Sequence, residues 1–291
     1  MCSARAARDH RRARIVARSA GASAKAVRRV ARRHRGGPVA VICATAGRRR
    51  TSPSRPAPGQ ESTRMTDLVI PAPETPVIPT VQGGGFPVRR VYCIGRNFAA
   101  HAIEMGHDPD REPPFFFQKN PDSLDASGRF PYPGQSKDVH HEVELLIALR
   151  SGGSDIPVGQ ALDHVWGYGL CLDMTRRDLQ AQAKKAGRPW EIGKAFEQSA
   201  PVGPVVPVAQ AGHPDAGRIA LTVNGDLRQE GDLNQMIWKV PEMIAYLSRY
   251  FTLAPGDVIL GGTPAGVGPV APGDTMVASI DGLGALTVTV V

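Results

Sequence analysis

The chain has 291 residues, with 35 Lys and Arg against 27 Asp and Glu, and 42% of it is hydrophobic. That is enough apolar material for a core of one or two domains and too much for wholesale disorder. No apolar run approaches the roughly 18 residues of a membrane-spanning helix, and the four cysteines (Cys2, Cys43, Cys93, Cys171) lack CxxC or metal-finger spacing, which points to free thiols in a reducing, cytoplasmic compartment.

The charge is unevenly spread. Residues 1–64 hold 17 Lys and Arg and only two acids, Asp9 and Glu61, a balance of +15. Residues 65–291 hold 18 basic and 25 acidic residues, a balance of −7. The basic segment has almost no aromatic or periodic apolar pattern and cannot bury a core, so it reads as disordered. It fits a phosphate-binding arm, a transit peptide, or a start codon placed too early; the composition break at Met65 favours the last. Residues 65–87 are Pro- and Gly-rich and read as an extended lead-in arm, and 88–291 as the folded domain.

Along that domain, Val88–Ile94 predicts a first strand from its β-branched and aromatic content. His101–Met105 reads as a short helix, and a Pro/Asp-rich break follows at 108–114. Phe115–Gln118 is a short apolar strand. His141–Leu149 starts with period-2 alternation and ends as an apolar run, as a buried strand should; Val165–Leu172 is another. Thr175–Gly187 predicts a helix, with Thr175 and Asp178 in capping-box spacing and Gly187 and Pro189 as stop signals. Ile219–Val223 and Leu227–Glu230 flank Asn224-Gly225-Asp226, a hairpin signal. Pro241 to Phe251 predicts a helix with apolar Met243, Ile244, Leu247 and Phe251 on one face. Val258–Leu260 and the segments around 275–290 complete the strands. Strands outnumber helices without regular alternation, which predicts an α+β domain on a mixed sheet.

The motifs of serine hydrolases, P-loop enzymes, zinc proteases and dinucleotide-binding folds are missing from this sequence. What remains is a set of carboxylates. Glu142 and Glu144 stand at i, i+2 on one strand face, and Asp173 ends another apolar strand. Three carboxylates without cysteine suit a hard ion such as Mg²⁺ or Mn²⁺, although an ExE pair on a half-exposed strand is ordinarily a solvated face. His101 and Glu104 lie one helical turn apart and make either a general-base pair or a surface contact. Arg177, Gln180 and Lys184 form a polar stripe, with Lys194 following in an apolar segment; together they suit a carboxylate-bearing substrate, and Lys184 alone reads as solvated. The Gly262-Thr263-Pro264 turn offers a hydroxyl and backbone N–H groups.

The order of these segments is distinctive. IGRNFAAHAIEMG (94–106), HHEVELLIAL (140–149), GYGLCLDMTRRDLQ (167–180), GRPWEIGKAF (187–196), VNGDLRQEG (223–231) and GGTPAGVG (261–268) resemble the fumarylacetoacetate hydrolase superfamily from about residue 88 to the C-terminus. DPDREPPFFFQK (108–119) and LNQMIWKVPEMIAYLSRYFTLAPGD (233–257) are similar to bacterial fumarylpyruvate hydrolases within it. The resemblance implies a mixed β-sandwich roll, usually a homodimer. It implies Glu142, Glu144 and Asp173 as ligands of Mg²⁺, with Mn²⁺ as a substitute, and His101 and Glu104 as a catalytic pair on a lid helix. Arg177, Gln180, Lys194 and Thr263 fall on positions that bind a 2-keto-acid end, and Arg96 is assigned here to the distal carboxylate. Phe98, Gly261 and Leu172 depart from the commoner Tyr, Thr and Asn.

The implied reaction is hydrolysis of the C3–C4 bond of a 2,4-diketo acid, fumarylpyruvate in gentisate-type catabolism. In it Glu104, assisted by His101, takes a proton from water, and Lys194 contributes positive potential beside the substrate. Acylpyruvate hydrolysis and oxaloacetate decarboxylation share the same chemistry and stand as alternatives. Nucleic-acid binding through the basic tail is a third reading, opposed by the acidic body and the missing nucleic-acid motifs; a catalytically inactive binding protein is a fourth, opposed by the complete residue set. The expected partner is a small diketo acid, with no nucleic acid and no membrane.

Overall fold

Residues 68–104 and 113–291 are described in the computed structural model. The basic segment 1–64, the start of the lead-in arm, Met105, and most of the 108–114 break lie outside them.

Two sheets carry the fold. The first has six strands in the order Val206–Pro207, Val165–Leu172, Val143–Leu149, Asp257–Leu260, Arg90–Gly95 and Phe115–Lys119. Asp257–Leu260 and Arg90–Gly95 pair in parallel and the other neighbours antiparallel. The second has five, Asp226–Asp232, Arg218–Val223, Thr275–Ile280, Gly284–Val290 and Arg129–Phe130. Both are mixed and helices are few, so the α+β expectation holds.

The strand Val143–Leu149 shows why its sequence reads as an unbroken apolar run. Leu145, Ile147 and Leu149 join Ile219, Leu221, Met276 and Val288 of the second sheet in the main core. Leu146 and Ala148 point the other way, toward Val91, Cys93, Val258 and Ile78. A strand buried on both faces hides its period of two, and each fully buried Leu or Ile side chain in it gains roughly 1.5–3 kcal/mol on burial. Ile78 belongs to a small antiparallel hairpin, Val77–Pro79 with Gly85–Pro87, so part of the lead-in arm is stranded.

Several element boundaries differ from expectation for identifiable reasons. The strand over His141–Leu149 is interrupted at Glu142, between Val139–His141 and Val143–Leu149. The helix begins at Arg177 and runs to Lys185, because Thr175 and Arg176 pair as a two-residue strand with His140 and Val139. The capping box therefore does not form. The Thr175 hydroxyl donates to the Asp173 carbonyl at 3.1 Å. The Asp178 carboxylate accepts from the Ser136 hydroxyl at 2.7 Å and from the Lys137 N–H at 3.1 Å. The later helix runs over Val240–Leu247 and stops at Ser248, whose hydroxyl donates to Ala245 and accepts from Ile156 N–H, both at 2.8 Å. Phe251, past its end, still packs on the core. The Asn224-Gly225 turn closes its hairpin with φ of 54° and 88°, the left-handed pair that such turns require. Cys93 and Cys171 are buried free thiols. Among the described residues no helix is long and apolar enough to cross a membrane.

Candidate active site

Strand register assembles the site. Glu144 stands opposite Cys171, and Asp173 lies two residues further on, so Glu144, Cys171 and Asp173 share one face of the first sheet. The Asp173 N–H donates to the Glu142 carbonyl at 2.8 Å, which locks Glu142 beside them. Glu142, Glu144 and Asp173 are 5%, 3% and 0% exposed, and one carboxylate oxygen of each lies within 4.8 Å of the others. The solvated-face alternative for the ExE pair is thereby overturned. Like charges this close and this dry must be compensated.

Compensation is partial. Lys194 Nζ donates to Glu142 Oε2 at 2.8 Å and to Asp173 Oδ2 at 2.7 Å, and Arg177 pairs with the other oxygen of Glu142. Burial works against the Glu142 charge, but Lys194 and Arg177 outweigh it and hold its carboxyl far below the usual range. Burial likewise opposes the Lys194 charge, and Asp173 and Glu142 overcome it, so its ammonium is raised. Lys119, which the sequence reading passed over, is buried with Nζ 2.9 Å from Asp173 Oδ1. Its hydrogen bonds go instead to the Ser199 hydroxyl at 2.9 Å and the Ser199, Met174 and Lys194 carbonyls. Asp173 Oδ1 is thus a buried oxygen with a cation nearby and no hydrogen bond. Glu144 has no cation partner among the described residues, and its carboxylate accepts from Gly262 N–H at 2.8 Å. Burial, then the charges of Asp173 and Glu142, push its carboxyl well above the usual range.

These features fit a divalent cation. Asp173 Oδ1, which accepts no hydrogen bond, and Glu144, which has no ion-pair partner among the described residues, belong to one cluster of carboxylates, and an all-oxygen donor set suits a hard ion.

The remaining residues of interest wall the same cleft. Arg96, His101, Arg177, Gln180, Lys194 and Thr263 all line it with the three acids, and Phe115, Phe117 and Trp190 add an aromatic side. Arg177 Nη1 donates to Gln180 Oε1 at 2.7 Å, and its Nε faces His140 Nδ1 at 3.4 Å. Arg96 sits at a left-handed φ of 58°, its guanidinium 5.6 Å from the Phe115 ring, with no acidic partner among the described residues. His101 Nδ1 lies 3.2 Å from Glu104 Oε2. Glu104 is outside the lining: its two oxygens accept from Gly266 N–H at 3.1 Å each, so His101 faces the cleft and Glu104 stands behind it. Lys184, read from sequence as merely solvated, is exposed yet lines the cleft 5.8 Å from the Trp190 ring. Partial burial, then Arg96 and Arg177, lower its pKa.

Sequence reasoning also missed Asn97 and Gln229. Asn97 is fully buried and ties Gly261 to the Trp238 segment: its Nδ2 donates to the Gly261 carbonyl at 2.7 Å and the Trp238 carbonyl at 3.0 Å, and its Oδ1 accepts from Trp238 N–H at 2.7 Å. A single charge closing an apolar FFFQ strand could have flagged Lys119. Nothing local flags Gln229, whose inward aim depends on a bulge.

The chain is similar to several known proteins. A solved structure of fumarylpyruvate hydrolase from Pseudomonas aeruginosa, in complex with Mn²⁺ and pyruvate, is 54% identical. That match has a TM-score of 0.74 and covers 77% of this chain and 99% of that one. The mitochondrial oxaloacetate tautomerase of Mus musculus is 43% identical over 195 residues, 67% of this chain and 88% of that protein. An oxaloacetate tautomerase of Oryza sativa is 43% identical over 197 residues, 67% and 87% of the two chains. Residues 90–291 match the model of the fumarylacetoacetate (FAA) hydrolase C-terminal domain, and with the carboxylate cluster and the mixed sheets in place the chain belongs to that enzyme family.

Proposed function

We propose that the protein is a metal-dependent hydrolase that cleaves fumarylpyruvate to fumarate and pyruvate, a cytoplasmic homodimer serving gentisate-type aromatic breakdown. The observation that carries this reading is the meeting, in one cleft, of the three-carboxylate cluster with the cations Arg177, Lys194 and Arg96. Its likeness to a fumarylpyruvate hydrolase bound to Mn²⁺ and pyruvate supports the choice of substrate.

Glu142, Glu144 and Asp173 hold the ion, Mg²⁺ with Mn²⁺ as a substitute. A divalent ion there supplies a Lewis acid for negative charge developing on the 2-oxo oxygen. Lys194, Arg177, Gln180 and Thr263 bind the 2-oxo-acid end and add positive potential. His101 donates Nδ1–H to Glu104, which fixes the tautomer and leaves Nε2 free to take a proton from water. This shifts the base from Glu104, the sequence expectation, to His101, because His101 is the cleft-lining member of the pair. The water oxygen bonds to C4, the C3–C4 bond breaks with its electron pair on C3, and protonation of that carbon gives pyruvate beside fumarate. Arg96 holds the distal carboxylate.

A second reading, turnover of oxaloacetate or of simple acylpyruvates, is favoured by the 43% identity to oxaloacetate tautomerases. Parallel kinetics on fumarylpyruvate, acetylpyruvate and oxaloacetate separate the two. The proposal expects the highest kcat/KM on fumarylpyruvate; a higher value on either other compound transfers the function to the second reading.

A further inference from the structure

Gln229 lies on the strand Asp226–Asp232, at the edge of the second sheet, yet it is fully buried. A register shift places Leu221 opposite Gln229 and Thr222 opposite Leu227, so Arg228 is an extra, bulged residue. Leu227 and Arg228 face outward and Gln229 turns in, which is what a bulge does to a strand's alternation. Gly266 seals the arrangement: with φ of 92°, it packs so closely that a Cβ there would lie 2.0 Å from the Arg228 carbonyl oxygen.

All of the Gln229 amide is used. Its Oε1 accepts from Val143 N–H at 3.1 Å and faces His141 Nδ1 at 2.9 Å. Its Nε2 donates to the Pro264 carbonyl at 2.9 Å and to Thr263 Oγ1 at 2.8 Å. The amide cannot be flipped, because the Val143 N–H only donates and the Pro264 carbonyl only accepts. Thr263 therefore accepts from Gln229, and its own proton must go elsewhere. Thr263 is buried, lines the cleft, and has no acceptor for that proton among the described residues.

We propose that Gln229 is a positioning residue: it sets the polarity of the Thr263 hydroxyl so that Thr263 donates its proton to an oxygen of the bound 2-oxo acid. This rests on the assignment of the cleft as a 2-oxo-acid site. A buried donor left without an acceptor is costly, so the free cleft is primed for an oxygen-rich ligand at that point. Val143 lies between Glu142 and Glu144, so the Oε1 end of the same side chain steadies the acids while the Nε2 end directs the hydroxyl.

The test is calorimetric titration of pyruvate into the Mn²⁺-loaded full chain, with Mn²⁺ affinity and melting temperature measured alongside. Gln229→Glu keeps the acceptor for Val143 and His141 and replaces the donor facing Thr263 with an acceptor, which captures the hydroxyl proton. Thr263→Val removes the hydroxyl, and Thr263→Ser retains it. Gln229→Glu and Thr263→Val are each expected to weaken pyruvate binding about 3- to 10-fold, with Mn²⁺ affinity within about 2-fold and Thr263→Ser close to wild type. The double variant should bind no worse than Thr263→Val alone, since Gln229 acts through that hydroxyl. If the buried charge of Gln229→Glu prevents folding, Gln229→Met, which cannot donate, takes its place with the same expectation for pyruvate, measured at saturating Mn²⁺ because it also removes the acceptor for Val143 N–H. Full pyruvate affinity in the Gln229 variant, or losses that add in the double variant, overturns the proposal while leaving the site's function standing. Wild-type protein that binds Mn²⁺ and no pyruvate overturns both.

Discussion

Replacing Lys119 by Met tests whether the acids of the cleft are held by buried cations. The substitution preserves length and apolar stem and deletes one ammonium. In the wild type that ammonium is 2.9 Å from Asp173 Oδ1 and bonded to Ser199, in a residue 2% exposed. Its loss leaves Asp173 to Lys194 alone and strands the carbonyls that Lys119 had satisfied. Removing one partner of a buried ion pair costs about 3–5 kcal/mol, which for a domain of this size lowers the melting temperature by roughly 6–20 °C. Because the cluster becomes more negative, a divalent ion should stabilise the variant more than the wild type. Differential scanning calorimetry with EDTA and with excess Mn²⁺ measures both quantities. A metal-free melting temperature within about 2 °C of wild type would refute the electrostatic reasoning, as would a smaller Mn²⁺-induced rise in the variant.

Glu144→Gln keeps the acceptor for Gly262 N–H and removes the uncompensated charge. The metal-free protein should melt at or above the wild-type temperature while Mn²⁺ affinity, read by calorimetric titration, falls at least about tenfold. Arg96→Ala should lower kcat/KM for fumarylpyruvate by roughly 10- to 100-fold, the worth of a charge-assisted hydrogen bond, and leave acetylpyruvate, which has no distal carboxylate, within about 2-fold; equal losses on both would remove the distal assignment. Burial holds the His141 imidazole below its ordinary pKa, so the fold favours its neutral form. Its contribution is present above the unfolded value of about 6.5 and is lost as pH falls through the lower folded value. Urea titrations between pH 7.5 and 5 should therefore show a shallower loss of stability in His141→Gln than in wild type. A protein beginning at Met65 should retain the proposed activity in full, assayed against the 291-residue chain.

The chain of long strands and its hairpin were legible because their signals are local. The unbroken apolar run of Val143–Leu149, the Asn224-Gly225 turn and the Met243–Ile244–Leu247 face depend on neighbours within a few residues. Thr175 and Asp178 misled because the residue pattern of a capping box does not exclude other bonds; pairing with His140 and the Ser136 hydroxyl took both. The acids of the cleft were visible as residues, and their burial was not. On spacing alone, Glu142 and Glu144 fit a solvated strand better; family likeness favoured the cluster, and the register of Glu144 against Cys171 gives its physical reason. Lys119 and Gln229 escaped because each reaches the site from another strand, 54 and 56 residues from Asp173 in sequence. Long-range partners of that kind leave no periodicity to read.

The proposed metal-dependent C–C hydrolysis at the buried carboxylate cluster is open to product analysis. Fumarylpyruvate is incubated with the purified chain, and fumarate and pyruvate are quantified with Mg²⁺, after excess EDTA, and after Mg²⁺ or Mn²⁺ is restored. Equimolar fumarate and pyruvate, loss of turnover with EDTA, and recovery with either ion are expected. Hydrolysis that persists undiminished in EDTA, or metal-dependent consumption of the substrate without fumarate, would contradict it.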